Sequence, residues 1–158
     1  MDEVVVVGVG NPDRGDDAAG PAVVAALWDR VPPGVRLTTT VGSDPSTFWD
    51  LWEGASHVVL VDAMVSGRPP GTIARFDVSR DPLPGTVRLV STHALGAPAA
   101  IELARALGRL PSRVLVYGIE GGSFAGGAVM SDEVTRAVSE LADGLLGEVL
   151  ADRSAGVG

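Results

Sequence analysis

The sequence has no cysteine. That removes a cysteine nucleophile, a thiolate zinc site and any disulfide framework together. It has no surplus of basic residues either: 12 Lys and Arg stand against 20 Asp and Glu, a formal net charge of −8. This balance disfavours a general nucleic-acid or anionic-membrane surface but leaves room for a local basic patch. No apolar run approaches the roughly 20 residues of a membrane helix. Asp2 and Glu3 beside a short apolar run do not make a signal peptide. A soluble, cytoplasmic protein is the expectation. Internal repeats are lacking, and Gly and Pro fall between periodic segments as loop punctuation. The 158 residues suffice for one domain, burying roughly 70% of the unfolded chain's surface. Residues 1–150 read as that domain and 151–158 as a frayed tail.

What is present is organised around Val4 to Val24. Four consecutive valines, Val4 to Val7, form an apolar run suited to a strand buried on both faces of a parallel sheet. Gly8 and Gly10 let the backbone turn, and Asn11, Pro12 and Asp13 are loop residues. Asp16 and Asp17 arrive where a helix begins, where carboxylates meet orphan N–H groups and the positive end of the dipole. Pro21 is tolerable there only within the first turn. Gly8-x-Gly10 suggests a dinucleotide turn, but the fingerprint's third glycine would stand at Asp13, and Gly15 comes two residues late. Asp13, Asp16 and Asp17 also crowd negative charge where a pyrophosphate needs amide N–H groups. No Gly-Lys-Ser/Thr follows, so a P-loop is excluded and no nucleotide is expected. An acidic loop at a strand's end suits a cation better.

Further on, Val35 to Val41 reads as a second strand, and Asp44 with Pro45 opens a helix carrying Phe48, Leu51 and Trp52. Val58 to Val61 is a third apolar run, ending on Asp62 before Ala63-Met64-Val65. Thr72 to Val78 reads as a strand with Arg75 and Asp77 on one face, and Val87 to Val90 as a short extended stretch leading to Ser91-Thr92-His93. Pro98 marks a helix with Ile101, Ala104 and Leu107. Val114 to Ile119 is the last strand, and Glu120 to Gly127 reads as a flexible acidic loop. Ser131-Asp132 caps a final helix with Val134, Val138, Leu141, Leu145 and Val149 on one face. Strands alternating with helices predict a three-layer α/β/α sandwich around a mostly parallel sheet.

In such a sheet, groups that follow strands converge on one edge. Asp17, Asp62 and His93 each follow a different strand, and two carboxylates with an imidazole form a ligand set for a divalent transition metal with positions left open. Taken singly, Asp17 fits a helix cap better than a ligand. Asp62, a charge inside an apolar strand, needs either a polar partner or a metal. His93 alone in a loop argues for little, and His57, entering a strand, reads as solvated. Serine catalysis is the competing class, but there is no Gly-x-Ser-x-Gly elbow and no serine identifiable as His93's partner. Adjacent residues at a helix start diverge by about 100°. Only one of the two can then face the site if the other caps the helix; Asp17 is taken as the ligand and Asp16 as a cap or support, whose loss would cost about 1 kcal/mol or less.

Several blocks carry a resemblance in their order and spacing. They are Gly8-Val9-Gly10-Asn11 with Gly15-Asp16-Asp17, Val61-Asp62-Ala63, Pro70-Gly71-Thr72, Ser91-Thr92-His93 with Leu95-Gly96, and Gly118-Ile119-Glu120. Together, from about Val4 to Leu150, the chain resembles the hydrogenase maturation endopeptidases, which trim the C-terminal extension of a nickel–iron hydrogenase large subunit. The resemblance implies an α/β/α sandwich with a small, mostly parallel mixed sheet, phosphorylase/hydrolase-like in type. It implies metal ligands at Asp17, Asp62 and His93, with Asp16 supporting or substituting for Asp17. The metal implied is nickel supplied by the substrate, and the partner a hydrogenase large-subunit precursor met by a monomeric, cytoplasmic protease. A water polarised by that metal, or a carboxylate such as Asp17 or Asp16 acting as base, would then attack or assist at the scissile carbonyl. A metal-dependent peptidase with another substrate and a nickel-sensing chaperone are the alternative readings. The chain departs from the family at Ala94, often glutamine, and at Ala97-Pro98, which bears on the histidine loop's geometry and on partner choice.

Overall fold

The computed structural model describes residues 3–42, 44–90 and 96–148. Six strands and four helices occur among them. In chain order these are β1 (Val4–Val9), a 3₁₀ turn (Gly15–Ala18), α1 (Ala19–Leu27), β2 (Val35–Thr40), α2 (Pro45–Trp52) and β3 (His57–Val65). β4 (Ile73–Asp77), β5 (Arg88–Leu89), α3 (Ala97–Ala106), β6 (Arg113–Glu120) and α4 (Asp132–Glu148) complete the series.

The sheet runs β2-β1-β3-β6-β4, with β5 paired to the end of β3. β1 is buried along its whole length, as its valine run requires, and lies parallel to β2 and β3. β3 and β6 are parallel, whereas β4 runs antiparallel to β6 and β5 antiparallel to β3. The sheet is therefore mixed. The short Ser66–Thr72 connection cannot carry the dozen or more residues of a parallel crossover, which explains the reversal of β4.

Alternation along the strands feeds two separate cores. Val4 and Val6, with Val59, Val61, Leu115 and Tyr117, pack under α1 and α4. Val5, Val7 and Val9, with Leu60, Met64 and Val116, pack under α2 and α3. Val134, Val138, Leu141 and Leu145 are the buried face of α4, as their spacing predicts, and each contributes about 1.5–3 kcal/mol of burial. Val149 and the expected tail lie outside the described residues. Asp44 caps α2 by accepting the Thr47 N–H at 3.2 Å, and Phe48 and Trp52 anchor that helix from one face. Pro21 falls in the first turn of α1, where its missing N–H is harmless.

One contact fixes where α1 begins. A Cβ on Gly8 would lie 2.4 Å from the Gly20 carbonyl oxygen, and a Cβ on Gly20 would lie 2.4 Å from the Val9 and Val61 oxygens. Only paired glycines allow the helix to sit this close to β1 and β3. The 3₁₀ turn before α1 consequently packs against β3 at the sheet's carboxyl edge.

Candidate active site at the carboxyl edge of the sheet

Four acidic side chains are buried among the described residues: Asp16, Asp17, Asp62 and Glu120. Asp62 lies in the carboxyl half of β3, Glu120 closes β6, and Asp16 and Asp17 lie in the 3₁₀ turn between β1 and α1. Burying carboxylates is costly without hydrogen bonds or a cation, so each of the four calls for partners of its own.

Asp17 lies in the 3₁₀ turn, and its Oδ2 accepts the Asn11 N–H at 3.0 Å. Gly10 makes that approach possible, with φ +146° and a would-be Cβ only 2.0 Å from the Asp17 carbonyl oxygen. Asp62 lies in β3 between Leu60 and Met64 on the α2/α3 side, only 1% exposed. Its register partner on β6 is Gly118, where a Cβ would collide with Met64 Sδ at 2.5 Å. Because the turn bearing Asp17 packs on β3, two of the three residues singled out in the sequence come to the same edge. The third, His93, lies outside the described residues, as do Ala94 and the rest of 91–95. The chain enters that segment at Val90, whose N–H donates to the Ala63 oxygen at 2.8 Å, next to Asp62. It leaves at Gly96, the N-cap of α3. Among the described residues, no three His, Asp or Glu side chains gather into a metal-binding group. His57 begins β3 at the opposite end of the strand, its Nδ1 3.2 Å from Ser56 Oγ.

Asp16 differs from the expected cap. None of the four bonds to its side chain comes from its own helix start. Its Oδ2 accepts the N–H groups of Gly122 (2.8 Å) and Ser123 (3.2 Å), and its Oδ1 accepts the N–H (2.8 Å) and hydroxyl (2.9 Å) of Ser131. Burial raises the Asp16 pKa, but the Gly122 and Ser131 amides, the Ser131 hydroxyl and the Ser123 amide outweigh it, holding the carboxyl below its ordinary 3.8. The segment read as a flexible acidic loop is correspondingly fastened. Gly15 N–H donates to the Ala128 oxygen, Asp16 N–H to the Ser123 oxygen and Gly127 N–H to the Asp13 oxygen. Glu120 is not in that loop at all: it closes β6. Its two oxygens accept the Ser66 N–H at 3.1 and 3.0 Å, and the Ser66 hydroxyl also donates to it, tying down the turn after β3. The signal for Glu120 was in the sequence, since it ends an apolar run much as Asp62 interrupts one.

The family described as hydrogenase maturation protease matches residues 34–148. A Methanocaldococcus jannaschii protein named as a hydrogenase maturation protease is 31% identical over 93% of this chain and 96% of its own. The chain belongs to the hydrogenase maturation protease family. It is therefore a peptidase, with its buried acids at the sheet's carboxyl edge. The hydrogenase maturating endopeptidase HybD of E. coli has the same fold at 24% identity, with a TM-score of 0.78 over 98% of this chain and 94% of that one. The [NiFe] hydrogenase maturation protease HybD of Thermococcus kodakarensis matches with a TM-score of 0.74 and 25% identity, covering 94% of this chain and 99% of that one. Among the described residues no helix is long and apolar enough to cross a membrane.

Proposed function

We propose that this maturation protease is a cytoplasmic endopeptidase that removes the C-terminal extension of a nickel–iron hydrogenase large-subunit precursor once nickel has been inserted. The observation that carries this reading is the delivery of two buried carboxylates, Asp17 and Asp62, to one edge of the sheet by the packing of the 3₁₀ turn on β3. His93, outside the described residues, is the third member that the family resemblance implies, and Val90, the last described residue before it, is bonded to Ala63 beside Asp62. Two carboxylates and an imidazole without a thiolate form an open, incomplete donor set, which suits a metal still held by other ligands. Nickel therefore arrives as part of the substrate, and Asp17, Asp62 and His93 recognise it there. The bound metal would supply polarisation of a water or of the scissile carbonyl. The chain's own part is to orient: the Asn11 N–H holds one oxygen of Asp17, and the strand backbone holds Asp62.

The test is the mass of a large-subunit precursor incubated with the purified protein, with and without prior nickel loading. Shortening near the C-terminus only after loading is expected, together with no cutting of casein. Equal cleavage of nickel-free precursor would sink the gating. A tightly held zinc with broad peptidase activity would indicate a general metallopeptidase instead.

A further inference from the structure

The second carboxylate of the Asp16-Asp17 pair has a task of its own. Asp16 is 1% exposed, and each of its oxygens accepts two hydrogen bonds. The donors come from both ends of the segment between β6 and α4: Gly122 and Ser123 at its start, Ser131 at its finish. Backbone bonds run alongside, from Gly15 to Ala128, Asp16 to Ser123 and Gly127 to Asp13. The fit is close. A Cβ on Gly15 would stand 2.5 Å from the Ser123 oxygen, and one on Gly121 would meet the Asp16 Cβ at 3.0 Å. On its other side, Asp17 is wedged against Gly10 and bonded to Asn11. The turn that presents Asp17 is therefore gripped from two sides, by the end of β1 and by the 121–131 segment.

We propose that Asp16 is a positioning residue for the peptidase reaction: its carboxylate joins the 121–131 segment and the Asp13–Asp17 turn into one rigid unit that fixes Asp17 at the sheet edge. The inference rests on Asp17 belonging to the site, as set out above. A neutral amide cannot serve all of these donors, because three of the four are backbone N–H groups that cannot accept. In Asp16→Asn one oxygen is left to accept, and the amide NH₂ faces at least one backbone N–H: that of Ser131, or those of Gly122 and Ser123 if it is flipped. Displacing Asp17 by a fraction of the length of a bond is enough to matter, since a misplacement of about 1 Å can cost about 100-fold in rate.

The experiment compares Asp16→Asn, Ser131→Ala and Asp17→Asn with the parent, using nickel-loaded precursor. It reads kcat and KM together with amide hydrogen exchange in the unliganded protein. For Asp16→Asn, exchange at the Gly122, Ser123 and Ser131 amides should rise by about tenfold or more, since local opening replaces a closed latch. Its kcat should fall by about 100-fold while KM stays within about twofold, the pattern of a group needed only for the transition-state arrangement. Ser131→Ala, which removes one donor of the four, should shift both readouts in the same direction by less. In the Asp16→Asn background it should add almost nothing, since the two residues form one coupled unit. Faster exchange with parental kcat in either variant would overturn the proposal. So would a fall in kcat with unchanged exchange, which would make Asp16 a participant in the chemistry. If Asp16→Asn does not fold, Ser131→Ala alone decides by the same two criteria. Parental cleavage by Asp17→Asn would instead remove the underlying site assignment, whatever exchange does in Asp16→Asn.

Discussion

Asp62 is held inside β3 between two fully buried apolar side chains, Leu60 and Met64. An amide there is nearly the same shape and cheaper to bury than an ion, so Asp62→Asn should leave the thermal midpoint close to the parent's. Processing of precursor should nonetheless be abolished. Mass spectrometry alongside a thermal melt checks both halves, and a stable variant that trims at the parental rate contradicts the assignment. The two histidines offer a paired test. His93→Ala should be inactive, whereas His57→Ala should be near neutral, because His57 starts β3 at the far end of the strand beside Ser56. Equal losses would remove the reason for preferring His93. At this scale the sequence was informative where a residue broke a local pattern. Asp62 stood out as a charge within an apolar run. The task of Asp16 did not, because its partners lie at Gly122, Ser123 and Ser131, more than 100 positions away, and local spacing offered only the choice of cap or ligand. Four charge-assisted bonds, in place of a first-turn cap, also mean that Asp16→Asn costs more stability than a cap change.

Among elements, the valine run of β1, the apolar runs of β3 and β6 and the stripe of α4 could all be read directly, since each is buried in the way its periodicity implies. The direction of β4 could not be read from its own residues. A strand's sequence does not record which neighbour it pairs with, and the mixed character of the sheet was implied only by the family resemblance. The close seating of α1 was equally hidden, because a glycine in a helix reads as a weakness until its neighbour is known. That seating is open to measurement. Gly20→Ala gains about 0.5–1 kcal/mol of helix propensity. The added Cβ would meet the backbone oxygens of Val9 and Val61 at 2.4 Å, which cannot move without disturbing two strands. The clash, about 1–3 kcal/mol for overpacking, outweighs that gain, and a net loss of up to about 2 kcal/mol is expected from denaturant midpoints. Gly144, on an exposed face of α4 with nothing near its would-be Cβ, is the control: Gly144→Ala should stabilise by about 0.5–1 kcal/mol. A Gly20→Ala protein as stable as the Gly144→Ala one would show that the α1 contact is not tight.

On the scale of the whole molecule, the sheet order puts β1 beside β3 and β3 beside β6, so the first loop of the chain and the last one meet over the same edge. Asp16 closes that meeting, and its charge makes the closure sensitive to acid. Among the described residues no basic side chain bonds to it; the donors are amides and one hydroxyl, and the ionised carboxylate accepts from all four. The folded-state pKa lies below the ordinary 3.8, so the native state prefers the ionised form more strongly than the unfolded chain does. The resulting stabilisation is fully present above that ordinary value and is lost as pH falls through the lower, folded-state one. Comparing the parent with Asp16→Asn isolates this contribution from the other carboxylates, which titrate in both proteins. The difference in denaturation midpoint should be constant between about pH 5 and 7 and should narrow on further acidification. A difference that stays the same at the lowest pH where both proteins remain folded would mean that the latch does not depend on the Asp16 charge, and that shape alone holds the first and last loops together.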